Sequence, residues 1–185
     1  MKPTRQEAEE SVRTILRFIG EDTEREGLID TPSRVVKAFL EMTEGIGKDA
    51  NEVLSTSFTE SCDEMVVVRG IRFVSLCEHH LLPFIGQATV GYLPNKKVVG
   101  LSKIPRLVEC LARRPQLQER LTVQIANTLL HGIDALGVGV VIKAHHSCMG
   151  CRGVRQPDAE MVTSAMVGAF TNPHVKQELL QLASN

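Results

Sequence analysis

Tryptophan is absent from the 185-residue chain and tyrosine occurs once, so the aromatic platforms on which single-stranded nucleic acids stack are poorly supplied. Also missing is any apolar run near the ~20 residues that a transmembrane helix requires. The N-terminus lacks the charged-then-apolar layout of a secretory signal. These absences predict a cytoplasmic protein with neither nucleic acid nor membrane as a partner. No internal repeat or low-complexity tract is visible, and 43% hydrophobic with 23% charged residues is ordinary for a globular chain. Five cysteines, an odd number without a secretory signal, suit thiols and metal ligands better than a disulfide framework. A strong overall charge is lacking too, but the net −1 hides an asymmetry. Residues 1–64 hold fifteen acids against eight bases, whereas Lys96, Lys97, Lys103, Arg106, Arg113, Arg114 and Arg120 face only Glu109 and Glu119 in their stretch. Such a basic island fits a small anionic ligand.

What the chain does have is a concentration of metal-capable side chains where apolar strands stop. Cys77 and His80 form a Cys-x-x-His pair, a spacing that lets one tight turn aim a thiolate and an imidazole at a single tetrahedral ion. The candidate to complete that site is Cys148, in His145-His146-Ser147-Cys148, which likewise follows a strand-like run. Three protein ligands would leave one position open for water, as catalytic zinc sites do. The Cys148-x-x-Cys151 pair equally permits a structural zinc with four ligands or a redox dithiol. Spacing leaves those alternatives open.

Around this centre the hydrophobic period predicts an α+β chain. Thr4-x-x-Glu7 is a capping box ahead of Ala8, Val12, Ile15, Leu16 and Ile19, with Gly20 as the stop. Thr31 and Pro32 read as the start of a second helix that ends by Gly45 and Gly47. Two helices bury little alone, so residues 1–63 are expected to form a helical arm and 64–185 the catalytic core. Within that core, Met65–Val68 and Ile71–Leu76 read as strands around a turn or bulge at Arg69-Gly70, and Gln87–Leu93 as another. Helices follow on Ile104, Leu107, Val108 and Leu111 and on Leu117, Leu121, Ile125 and Leu129, with Pro115 as the break. Strands return at Val138–Ala144 and Met161–Phe170, and Asn172-Pro173 opens a last helix. The order β-β-α-α-β-β predicts one antiparallel sheet with both helices on one face. Its open edges invite pairing with other copies, so a symmetric oligomer is expected.

Four separate stretches resemble the GTP cyclohydrolase I family: Cys77-Glu78-His79-His80, Gly100-Leu101-Ser102-Lys103-Ile104, Arg113 to Thr122, and His146-Ser147-Cys148 with Arg152-Gly153-Val154-Arg155. The resemblance spans about residues 30–175 in consistent order. It implies the tunnelling fold, a β-β-α-α-β-β unit assembled into pentamers that pair as a ring-shaped homodecamer. It also implies zinc-dependent opening of the imidazole ring of GTP, with formate released and 7,8-dihydroneopterin triphosphate formed, the first step of a pterin or folate type of biosynthesis. By position, Cys77, His80 and Cys148 would be the zinc ligands, His146 the proton donor and His79 its assistant. Lys103, Arg106 and Arg152 would hold the triphosphate, joined by Arg34 from a neighbouring subunit, Ser102 would lie near the phosphates and sugar, and Gln118 and Glu119 would read the guanine. The chemistry suits those roles: zinc brings the pKa of bound water to ~7, and histidine titrates in the range needed to protonate a leaving nitrogen. By periodicity alone Glu119 would instead be a helix-surface acid paired with Arg114 or Arg120. A reductase of the same fold would need a nucleophilic cysteine and no zinc.

Overall fold

Thr4 and Glu7 open the first helix as their spacing predicts. In the computed structural model, which describes residues 2–60 and 62–184, the Thr4 backbone N–H donates to the Glu7 carboxylate at 2.7 Å and Glu7 N–H donates to Thr4 Oγ1 at 3.2 Å. Helix α1 covers Arg5–Phe18 and α2 covers Thr31–Met42. The cap of α2 falls one residue earlier than expected, on Asp30, whose carboxylate pairs with Arg34 at 3.0 Å instead of capping a backbone N–H. The two helices belong to one compact unit, Met1–Glu44, with Gly45–Asn185 as the other. No residue of α1 is buried, and Phe18 stays 89% exposed. Two helices cannot bury two apolar stripes on each other, so this unit has apolar surface to spare.

The second unit begins with α3 (Ala50–Val53) and β1 (Ser57–Thr59). Then come β2 (Val66–Cys77), β3 (Pro83–Leu93) and β4 (Lys97–Val99), followed by α4 (Lys103–Ala112), β5 (Pro115–Gln116) and α5 (Gln118–Gly132). The chain finishes with β6 (Gly137–His146), α6 (Ser147–Gly150), β7 (Glu160–Gly168), a 3₁₀ turn at Ala169–Thr171 and α7 (Pro173–Ser184). The main sheet has the order β5-β2-β3-β6-β7, antiparallel except for β5, which runs parallel to β2. β5 was hidden in the sequence because Pro115 reads as a breaker. It is tolerated since the strand lies at the edge of the sheet, where proline's missing N–H leaves no central ladder bond unmade. A separate ribbon joins β1 to β4.

Helices α4 and α5 both lie on one face of the sheet. Ile104, Leu107, Val108 and Leu111 of α4 and Leu121, Ile125 and Leu129 of α5 share one core with Phe73, Phe84, Ala88, Val90, Val140 and Ile142. A one-residue bulge in β2 decides which side chains face that core: the register runs Val68↔Val90 and then Ile71↔Ala88. Val66 and Val68 pack inward before it, and Ile71, Phe73, Ser75 and Cys77 after it. Because side chains alternate along a strand, the extra residue is what turns Cys77 to the helix side. Gly70 supports the kink with φ +67°, a region that costs glycine little.

On the opposite face, Gly91 and Gly139 are register partners, and a Cβ on Gly139 would lie 2.3 Å from Leu179 Cδ2. The paired glycines make the flat seat against which Phe170 and Leu179 pack, both fully buried. Among the described residues, no helix is long and apolar enough to cross a membrane.

Candidate metal and active site

Cys77, His80 and Cys148 converge. Cys77 ends β2, His80 sits in the turn that leads to β3, and Cys148 lies in α6 directly after β6, yet one ligand atom from each falls within 4.8 Å of the others. The two sulfurs are 3.9 Å apart. Two thiolates on one tetrahedral zinc at ~2.3 Å would be separated by about 3.8 Å, so the donor set and its spacing fit zinc. Backbone bonds shape the turn: Leu81 N–H donates to Cys77 O at 2.8 Å, and Cys77 N–H to Leu82 O at 2.9 Å. Burial pushes the Cys148 thiol above its ordinary range, and the neighbouring Cys77 thiol adds to the rise. A bound cation would stabilise thiols crowded in that way as thiolates.

Cys151 is exposed and does not join the group among the described residues. The four-ligand arrangement that Cys148-x-x-Cys151 left open therefore has no fourth ligand from that cysteine. Arg152 stands beside the cluster, its Nη1 3.2 Å from His80 Nε2. A guanidinium only donates, so the Nε2 lone pair is engaged there. A metal would accordingly take Nδ1 or displace Arg152. His79 is exposed next to His80, with ring centroids 6.3 Å apart and planes at 89°.

His146 is docked from two directions. It is the register partner of Phe84 across β3 and β6, and the two rings stack at 4.5 Å with an interplanar angle of 3°. In the ring plane, His146 Nε2 lies 2.8 Å from Gln118 Oε1. Burial holds the imidazole below its ordinary pKa, with the charge of Glu119 pulling the other way. Its neighbour His145 alternates to the opposite face, where it helps line a cleft of about 640 Å³ with Arg72, Gln87, Lys143 and Glu160.

The expected base-reading pair divides. Gln118 is 1% exposed and its side chain is committed to neighbours within the chain, which leaves no accessible atom for a base. Glu119 is exposed, and neither arginine offered as its partner takes it. Arg114 donates to the Gly45 and Cys110 carbonyls, and Arg120 forms a bidentate pair with Glu78, one arm at 3.0 Å. Glu119 has no ion pair among the described residues. The Glu78–Arg120 fork, which holds the Glu78 carboxyl below its ordinary range, ties the metal-bearing turn to the start of α5. Glu78 stood inside a quoted motif, but no spacing rule linked it to a residue 42 positions on.

Ser102, Lys103 and Arg106 lie elsewhere in the unit. Ser102 follows β4, whose Val99 N–H donates to Tyr92 Oη. Tyr92 is nine residues along β3 from Pro83, or about 30 Å at ~3.3 Å per residue, and Pro83 starts the strand at the cluster end. The other end of α4 is anchored there, since Ala112 O accepts from buried Ser75 Oγ at 2.7 Å, two residues before Cys77. Nine residues of helix place Lys103 about 14 Å from Ala112. Arg34 is exposed on α2 in the first unit and pairs with Asp30 at 3.0 Å. One chain thus brings together Cys77, His80, Cys148, Arg152 and, through Gln118, His146 with the start of α5. It does not bring Ser102, Lys103 or Arg106 to them.

Comparison with known proteins bears on this arrangement. The family model for GTP cyclohydrolase I matches residues 8–184. The chain is 54% identical over 179 residues to GTP cyclohydrolase 1 of Campylobacter jejuni subsp. jejuni, covering 96% of this chain and 94% of that protein. It is 52% identical over 176 residues to GTP cyclohydrolase 1 of Leptospira biflexa, covering 94% of this chain and 96% of that one. With GTP cyclohydrolase 1 of Rhodopirellula baltica it shares 51% over 175 residues, 94% of this chain and 76% of the relative. Among solved structures, an archaeosine synthase QueF-Like in the apo form superposes with a TM-score of 0.49 at 19% identity, over 60% of this chain and 98% of that chain.

Proposed function

The chain belongs to the GTP cyclohydrolase I family, and from that premise we propose that it opens the imidazole ring of GTP with zinc held by Cys77, His80 and Cys148, releasing C8 as formate and yielding 7,8-dihydroneopterin triphosphate. The observation that carries this reading is the convergence of three soft and borderline donors within 4.8 Å beside a histidine fixed on two sides. Zinc in that set supplies Lewis acidity, which makes a nucleophile of water near neutral pH. The chain's own residues do the rest. Breaking the C8–N bonds leaves electron density on the departing nitrogens, and His146 donates the proton they take up, with His79 assisting. Glu119, free of protein cations, accepts from guanine N1–H and the 2-amino group in two charge-assisted bonds.

Lys103, Arg106 and Arg152 hold the triphosphate, since planar guanidinium forks and an ammonium match phosphate oxygens. Ser102 lies near the sugar and phosphates. The separation of the α4 N-terminus from the metal cluster supports a site shared between copies, in which one chain presents the cluster and another the α4 cations and Arg34. A ring-shaped homodecamer of paired pentamers supplies such junctions and closes the sheet edges that β7 and β5 leave open.

The test is incubation of the purified protein with GTP, following formate and the fluorescence of the oxidised pterin, with zinc per chain measured on the same sample. The reading expects about one zinc per chain, stoichiometric formate and pterin, and loss of both on chelation. Turnover that survives complete removal of zinc, or fluorescence without formate, would contradict it.

A further inference from the structure

Gln118 sits in the first turn of α5 and is as buried as any core leucine, with 1% of its surface exposed. Its side-chain nitrogen faces three acceptors: Ile142 O at 3.2 Å, Met161 O at 3.0 Å and Thr163 Oγ1 at 3.1 Å. Two of these are backbone carbonyls, which accept and never donate. Turning the amide over would set its oxygen against both of them, so the carbonyls of β6 and β7 fix which end is which. Thr122 completes the frame. Its hydroxyl lies 2.7 Å from Gln118 O and 2.7 Å from Thr163 Oγ1. With the Thr122 hydrogen given to Gln118 O, Thr163 spends its own on Thr122 and keeps its lone pairs for the Gln118 amide.

That orientation leaves Gln118 Oε1 pointing at His146 Nε2, 2.8 Å away. An amide oxygen only accepts, so the histidine nitrogen opposite it carries the hydrogen. The requirement holds for the neutral ring and for the imidazolium alike, because both can donate from Nε2. Nδ1 then has no partner among the described residues. Stacking on Phe84 at 4.5 Å sets the plane of the ring, with Nε2 opposite the amide.

We propose that Gln118 is a positioning residue that fixes His146 as the Nε2–H tautomer and leaves Nδ1 as the ring nitrogen without a protein partner. The role replaces the base contact expected for Gln118 and rests on the assignment of His146 as the proton donor. The sheet carries it out: carbonyls of β6 and β7 set the amide, and the amide sets the ring. A histidine held in the wrong tautomer keeps its place and loses its function.

The test separates the two assignments. In protein labelled with ¹⁵N-histidine, the His146 ring signals, identified by their loss in His146→Ala, report the tautomer by magic-angle-spinning NMR, with and without zinc. The inference expects hydrogen on Nε2 and none on Nδ1 in the neutral ring of the wild-type protein. Gln118→Met, close in volume and without an acceptor, should show both tautomers, bind zinc as before, and lose kcat by at least about tenfold with KM for GTP little changed. An Nδ1–H ring in the wild-type protein overturns the proposal and requires no variant to fold. So does a Gln118→Met protein that keeps both the single tautomer and the wild-type kcat. Wild-type turnover in His146→Ala would remove His146 as the acid, while the tautomer signals would still judge Gln118.

Discussion

The two ends of α4 carry different halves of one chemistry. At its C-terminal end several bonds hold the chain: Ser75 donates to Ala112 O, Arg114 clasps the Gly45 and Cys110 carbonyls, and β5 pairs with β2 at Cys77. That end is finished within the chain, and the metal ligands stand on it. At the N-terminal end Ser102 and Arg106 are exposed and Lys103 half-buried, with no ion pair for either cation among the described residues. Cations without carboxylates at a helix start are unusual, since the helix dipole disfavours them there, and an incoming polyanion removes the conflict. In the proposed function the rigid end is where bonds are broken and the unfinished end, on another copy, is where the substrate's charge is met.

The largest effect should come from breaking the finished end. Cys148→Ser or Cys77→Ser is expected to abolish zinc binding and to lower turnover by at least about 10³-fold, checked by metal analysis and formate release. Cys151→Ser, three residues on, should leave both unchanged. If Cys151→Ser instead sheds the metal, the three-ligand site is wrong.

Next in size is selectivity. Glu119→Gln should keep its zinc and narrow the GTP-to-ITP ratio of kcat/KM, because ITP lacks the amino group that the carboxylate accepts from. Sites built on such bonds reject an analogue by up to ~10⁴-fold, so the change is large enough to read from steady-state rates. Undiminished discrimination would place guanine recognition elsewhere.

At the unfinished end the expected change is smaller and different in kind. Arg106→Ala or Lys103→Ala should raise KM for GTP by roughly 30-fold, about 2 kcal/mol of charge-assisted contact, with zinc content intact. A loss of zinc in either variant would mean that the two ends are not separate. Smallest is the bulge that sets up the contrast: Gly70→Val forces a β-branched residue to φ +67° and should cost about 1–3 kcal/mol, seen as a lower Tm with one zinc retained.

Much of this division could be read from the residues. The Cys-x-x-His pair and the later cysteine converged as their positions at strand ends suggested, and the capping box at Thr4 formed with both of its bonds. Arg69-Gly70 was legible as a bulge because glycine and a break in alternation coincide there. What spacing could not supply were partnerships across long separations. The resemblance made Gln118 part of a guanine-reading pair, and no spacing showed that its amide would be enclosed against carbonyls of β6 and β7. Arg120 chose Glu78 rather than its neighbour Glu119, since only the folded turn brings that carboxylate within reach. Lys103 and Arg106 stood out as part of the basic stretch Lys96–Arg120, but their distance from the cysteines depends on which way α4 runs along the sheet, and no local pattern encodes that direction.

Mixing the two kinds of variant tests the shared site most directly. Cys148→Ser keeps the α4 cations and lacks the cluster; the double variant Lys103→Ala, Arg106→Ala keeps the cluster and lacks the cations. If each site draws its cluster from one chain and its cations from another, co-assembled oligomers of the two, assayed at GTP far below the KM of the double variant, should show activity well above that of either parent, with roughly a quarter of the sites intact in an equal mixture. Mixed oligomers that form, as judged by mass, and remain as inactive as their parents would contradict it.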